Sequence, residues 1–237
     1  MSGRLLAIGD IHGCAQELEV LLDALALTAG DTVVFVGDYI DRGPASRAVV
    51  DRLLALAART DITSIFLRGN HEDMCLAYVD RGGHWGEAWR LNGGAATLES
   101  YGMDPRTPGH EVLARLPRAH VDFFERLRLS YAHDGWLFVH AGIRPGVRLE
   151  EQQEEDLLWI RDEFIMSRHG LPQTIVFGHT PHREVLVDLP YKVGIDTGCV
   201  YGGRLTCLAP HEGRLYQVAY GDHRMRDSAL PGRRRRA

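Results

Sequence analysis

Leu5-Leu6-Ala7-Ile8-Gly9-Asp10-Ile11-His12-Gly13 and Thr32-Val33-Val34-Phe35-Val36-Gly37-Asp38-Tyr39-Ile40-Asp41-Arg42-Gly43 decide how this chain is read. Each opens as a short apolar run, read as a strand, and ends in Gly-Asp. Between them Leu18, Leu21, Leu22 and Leu25 recur at helical spacing over residues 15–27. Residues 45–59 are rich in Ala and Leu and read as a helix, with Pro44 near the first turn. Residues 64–67 form a third strand that ends at Gly69-Asn70. Strand, helix, strand, helix, strand is the pattern of βαβ units on a largely parallel sheet. Each polar motif follows its strand directly, where open α/β sheets place their ligand sites.

Outward from this core, residues 71–128 read as mainly helical, broken at Gly82-Gly83, Gly93-Gly94 and Gly109. Strands return at 136–139, 174–177, 205–208 and 215–219, the last two joined by a turn at His211-Glu212-Gly213. One α/β domain over residues 1–222 is expected, followed by a disordered basic tail over 223–237 that ends in Arg233 to Arg236. The acidic run Glu150, Glu151, Glu154, Glu155 and Asp156 reads as the start of a solvated helix.

Composition narrows the function. A net charge of -5 argues against generic nucleic-acid binding. Of 27 basic residues only Lys192 is lysine, so no Gly-Lys-Ser/Thr phosphate loop exists. His71-Glu72 is followed by Cys75 where a zinc protease needs histidine. No apolar stretch reaches the length of a membrane span, no signal peptide is evident, and Cys14, Cys75, Cys199 and Cys207 read as reduced thiols; a cytoplasmic protein is expected.

Five motifs carry the chemistry: Gly9-Asp10-Ile11-His12-Gly13, Gly37-Asp38-Tyr39-Ile40-Asp41-Arg42-Gly43, Gly69-Asn70-His71-Glu72, His140-Ala141-Gly142 and Gly178-His179-Thr180. They supply two Asp, one Asn and three His at the ends of apolar runs. Hard oxygen and borderline imidazole donors in that mixture suit a pair of divalent transition metals. In this order the motifs resemble the metallophosphoesterase (calcineurin-like) superfamily, and within it the bacterial and phage type of Ser/Thr protein phosphatase. The resemblance spans roughly residues 5–209, with supporting matches at Leu91-Asn92-Gly93-Gly94, Leu158-Trp159-Ile160-Arg161 and Ile195-Asp196-Thr197-Gly198.

The resemblance implies a β-sandwich flanked by helices, four layers in the order αββα. It implies that Asp10 and His12 bind a first metal, that Asp38 bridges both, and that Asn70, His140 and His179 complete the second. Manganese is the expected ion, with iron or zinc as alternatives. His71, oriented by Asp41, would protonate the leaving alkoxide, and Arg42 and Arg161 would clamp the phosphate. Hydrolysis would then proceed by direct attack of a metal-bridging hydroxide, without a phosphoenzyme. The expected substrate is a phosphoserine or phosphothreonine protein, or a small phosphoester. The alternative is a symmetrical bis(5'-nucleosyl)-tetraphosphate. By the resemblance Asp41 favours the phosphatase, because the related nucleotide hydrolases tend to carry alanine there, in keeping with a nucleotide leaving with less need of a general acid. Against that, Asp196-Thr197-Gly198-Cys199 followed by Gly202-Gly203-Arg204-Leu205-Thr206-Cys207 resembles the nucleotide hydrolases as well. No nucleic-acid, membrane or regulatory-subunit partner is implied.

Overall fold

A computed structural model describes residues 3–232. Two mixed sheets stack face to face. The first contains β1 (Leu5–Ile8), β2 (Thr32–Phe35), β3 (Thr63–Phe66), β9 (Arg204–Ala209), β10 (Arg214–Ala219) and β11 (Met225–Ala229), in the order β11-β10-β9-β1-β2-β3. The second contains β4 (Ser130–His133), β5 (Trp136–Val139), β6 (Thr174–Phe177), β7 (Leu186–Asp188) and β8 (Lys192–Gly194), in the order β4-β5-β6-β8-β7. Strands β1, β2 and β3 run parallel, as do β5, β6 and β8. The parallel trio, at one side of the first sheet and in the middle of the second, therefore delivers its C-terminal ends to one edge of the sandwich.

Alternation along the strands builds the layers. Leu6 and Ile8 pack with α1 (Ala15–Leu25) and α2 (Ser46–Ala57), whereas Leu5 and Ala7 face the second sheet. In β5, Phe138 meets that inter-sheet core, while Leu137 and Val139 turn outward. A strand covered on both faces has no polar side, which explains the unbroken apolar runs. The middle of the chain supplies α3 (Asn70–Tyr78), α4 (Gly86–Trp89), α5 (Ala95–Ser100), α6 (Gly109–Arg115) and α7 (Arg118–Glu125). Over the outer face of the second sheet lie α8 (Glu154–Trp159) and α9 (Asp162–Ile165), through Leu157, Ile160 and Phe164. The result is the four-layer arrangement expected from the sequence.

Lys192 is wholly buried in β8. Its Nζ donates to the carbonyls of Phe164 at 2.7 Å, Ile165 at 2.9 Å and Ser167, so it caps the end of α9. The Nζ also stands 4.9 Å from the centre of the Phe164 ring.

Two expectations need correction. Residues 225–229 are no tail: they form β11, paired with β10 from Arg214↔Ala229 to Val218↔Met225. Its largely exposed Met-Arg-Asp-Ser-Ala sequence lacks the apolar signal of an inner strand, because an edge strand need not bury both faces. Arg233 to Arg236 lie outside the described residues. The acidic run is only partly solvated. It divides into a short turn, Leu149–Glu151, and α8, where buried Asp156 accepts two hydrogen bonds from Arg144, at 2.6 and 2.9 Å.

Candidate metal centre

Six polar side chains meet where the parallel strands end. Asp10 follows β1, Asp38 follows β2, Asn70 opens α3 after β3, His140 follows β5 and His179 follows β6; His12 completes the group from the turn after Asp10. All six are at most 4% exposed. His12, Asp38, Asp41, Arg42 and His179 each have positive φ, between 45° and 75°. Such strained backbone among non-glycine residues concentrates at functional sites.

Asp38 is central. Its Oδ2 lies 3.4 Å from His12 Nε2, and its Oδ1 lies 3.5 Å from His140 Nε2. The carboxylate thus presents one oxygen to each side of the cluster. Asn70 Oδ1 stands 3.0 Å from His140 Nε2 and 2.9 Å from His179 Nδ1. Asp10 Oδ2 accepts the His179 backbone N–H at 2.9 Å.

The donor chemistry tests whether cations fit. His12 Nδ1 lies 2.8 Å from the Ile40 carbonyl, and His140 Nδ1 lies 2.9 Å from that of Val36. Each ring must donate there, which leaves a lone pair on Nε2. Burial pushes His12 down to about 3 and lowers His140 and His179 as well, so these rings are neutral at pH 7. The lone pair on His140 therefore faces the oxygens of Asp38 and Asn70, acceptor against acceptor, and that on His12 faces Asp38 Oδ2 with the Arg42 guanidinium beside it. Asp10 Oδ1 and His179 Nε2 are also buried without hydrogen-bond partners. Unpaired acceptors at this density are costly alone and favourable around positive charge. The residues fit two divalent ions.

Beside the cluster, His71 Nδ1 contacts Asp41 Oδ2 at 2.6 Å. Asp41 is itself clamped: Trp89 Nε1 donates to Oδ2 at 2.9 Å and Thr97 Oγ1 to Oδ1 at 2.6 Å. Burial alone would lower the His71 pKa, but the carboxylates of Asp38 and Asp41 outweigh it and raise it above the ordinary histidine value. Cations on Asp38 would cancel its share, whereas Asp41 would keep its own. His71 also lies close enough to His12 and Asp38 to share an ion with them; Nδ1 is committed to Asp41, so Nε2 is the free nitrogen.

Arg42 directs Nη1 at His12 Nε2 and places its guanidinium 5.6 Å from the centre of the Tyr201 ring. Arg161 is exposed at the rim, where its Nη1 donates to the His179 carbonyl at 3.2 Å and to Thr180 Oγ1 at 3.3 Å. All ten residues singled out from the sequence thus gather in one place.

Four further residues shape the site without having been predicted there. Glu72 accepts the backbone N–H groups of Asp38, Tyr39, Ile40 and Gly69 at 2.8–3.3 Å, and so fixes the turn that carries Asp38. Trp89 and Thr97 lock Asp41, as described. Asp196 follows β8, is buried, and has its carboxyl pushed up to about 6 by burial. Only Glu72 and Asp196 carried a sequence signal, through the motifs that contain them.

Comparison with known proteins agrees with this geometry. A profile of the family described as calcineurin-like phosphoesterase matches residues 3–203. The chain is 28% identical to the asymmetrical bis(5'-nucleosyl)-tetraphosphatase PrpE of Oceanobacillus iheyensis, over 90% of each chain. It is 33% identical to serine/threonine-protein phosphatase 1 of Salmonella typhimurium, over 84% of this chain and 88% of the relative. Among solved structures, one provisionally described as a diadenosine tetraphosphatase superposes with a TM-score of 0.69 at 28% identity, covering 92% of this chain and 94% of the other. The chain belongs to the calcineurin-like phosphoesterase family.

Proposed function

We propose that this calcineurin-like phosphoesterase removes phosphate from phosphoserine and phosphothreonine on proteins. Asp10, His12, Asp38, Asn70, His140 and His179 would hold two divalent ions, manganese being the one this donor set suits. Such ions polarise a phosphoryl oxygen and lower the pKa of a water. Arg42 and Arg161 bind the remaining phosphate oxygens, as a planar guanidinium can in bidentate fashion. His71 carries a proton on Nε2 and passes it to the departing serine or threonine oxygen, then recovers one from solvent.

One observation supports this reading over others: the buried Asp41–His71 pair, with both carboxylate oxygens of Asp41 held by further donors. An alkoxide is a poor leaving group and needs a proton, whereas a nucleotide phosphate leaves with less help. A carboxylate this firmly placed fixes the ring's tautomer and favours its charged form.

A second reading is hydrolysis of bis(5'-nucleosyl)-tetraphosphates. It is favoured by the relative and the solved structure named for that activity, and by Tyr201, an exposed residue whose ring lies beside Arg42. Initial rates decide between them. The manganese-loaded protein should show the higher kcat/KM on a phosphothreonine peptide than on diadenosine tetraphosphate; the reverse order would overturn the phosphatase reading. Among the described residues no helix is long and apolar enough to cross a membrane.

A further inference from the structure

We infer that the groove between Trp85 and Trp159 receives an apolar side chain of a phosphopeptide substrate, one to three residues from the phosphorylated position. The inference rests on the phosphoprotein reading above. The groove has a volume of about 300 Å³ and is lined by Trp85, Ala88, Asn92, Glu155 and Trp159. It adjoins the metal centre through one wall, because the Trp159 ring lies 6.1 Å from that of His179. At about 3.3–3.6 Å per extended residue, a peptide anchored by its phosphate reaches it within that span.

Trp85 is held in place for exposure. It is 61% exposed, yet its backbone is left-handed at φ 62°, a conformation bulky residues avoid. The loop is fixed from below by Asp73, which is fully buried and accepts the His84 backbone N–H at 2.8 Å. A side chain on Gly83 would run into the Asp73 carbonyl. Nothing in the fold's own packing requires a large ring to face solvent in a strained loop; a ligand surface does.

Charge selects the occupant. Glu155 lines the groove and makes no ion pair among the described residues, whereas its neighbours Glu151 and Glu154 are paired with Arg148 and Arg68. A polyphosphate chain would meet this one unpaired carboxylate and be repelled, while a peptide with an apolar residue and a neighbouring arginine satisfies both the tryptophan rings and the charge.

The test uses the full manganese-loaded chain and phosphothreonine peptides flanked on both sides by Leu-Arg or by Gly-Gly. The wild type should prefer the Leu-Arg peptide by roughly tenfold in kcat/KM, as partial burial of one leucine allows. Trp85→Gly, which suits the positive φ, should bring that ratio close to one, and Trp85→Phe should retain it. Glu155→Gln should lower the ratio by the share owed to arginine. A wild-type ratio near one, or a ratio unmoved by Trp85→Gly, overturns the inference while leaving the phosphatase reading intact. Cleavage of diadenosine tetraphosphate with no cleavage of either peptide overturns both.

Discussion

Asp10 fits its position because Gly178 has no side chain: a Cβ there would land on Asp10 Oδ1, with Val36 Cγ2 only 3.0 Å away on another side. The glycine of one strand end thus makes room for the carboxylate of another. Gly178→Ala should therefore displace Asp10 while leaving the sandwich folded. Manganese affinity is expected to fall about 10- to 100-fold, the cost usual when the support of a ligand is lost. Titration calorimetry, with circular dichroism melting as the control for folding, measures it. Unaltered affinity would remove Asp10 from the ligand set.

His71→Asn should slow hydrolysis of alkyl phosphates by about 10²–10⁴-fold and of p-nitrophenyl phosphate far less, since a phenolate leaves unaided. Asp41→Asn should follow the same pattern more weakly. Trp89→Phe, which removes one of the donors that hold Asp41, should show a smaller trace of it. Equal losses on both substrate types would assign His71 to metal support.

Chelation should abolish activity, and added manganese should restore it. Because the acceptors around Asp38 face one another, the ions should also stabilise the fold: at a hundredfold excess over Kd, mass action gives about 2.7 kcal/mol. Thermal melts with and without manganese check this. An identical melting temperature in both would contradict the two-ion centre.

Far from the centre, Asp31 accepts hydrogen bonds from Arg4 Nη2 at 2.6 Å and from the Arg4 and Thr28 backbone N–H groups at 2.8 and 3.0 Å. Burial alone would raise its pKa, but these donors outweigh it and hold the carboxyl below its ordinary value. A carboxyl depressed in the folded state contributes stability above its unfolded pKa, near 3.9, and loses it as pH falls through the folded value. Asp31→Asn should cost about 1–3 kcal/mol at pH 7, with the gap to wild type closing below about pH 4. A gap that persists at low pH would show that packing, not charge, is at work.

The convergence of Asp10, His12, Asp38, His140 and His179 was legible because the strands before them, β1, β2, β5 and β6, are largely buried and announce themselves as apolar runs. Asn70 follows the half-exposed edge strand β3 and was legible through its Gly-Asn-His-Glu motif. The supports of the site were not. Trp89 and Thr97 reach Asp41 from a helical segment some 50 residues away in sequence, and only tertiary packing reveals that their donors point inward. Edge strands β4, β7 and β11 were missed for the opposite reason, since one open side leaves their sequences free to be polar. Trp85 gave no signal at all: its meaning lies in a backbone angle.

The burial of Lys192 has a practical consequence. An endoproteinase that cuts only after lysine has a single susceptible bond in this sequence, and that bond lies inside β8, behind α9. Trypsin, with 26 arginines to choose from, would report fraying at many exposed places. The lysine-specific enzyme can report one event, the opening of the second sheet. When reclosing is fast relative to cleavage, its rate gives the population of that open form, so one digest, followed by the appearance of two fragments, becomes a local stability gauge for the half of the sandwich that carries His140 and His179.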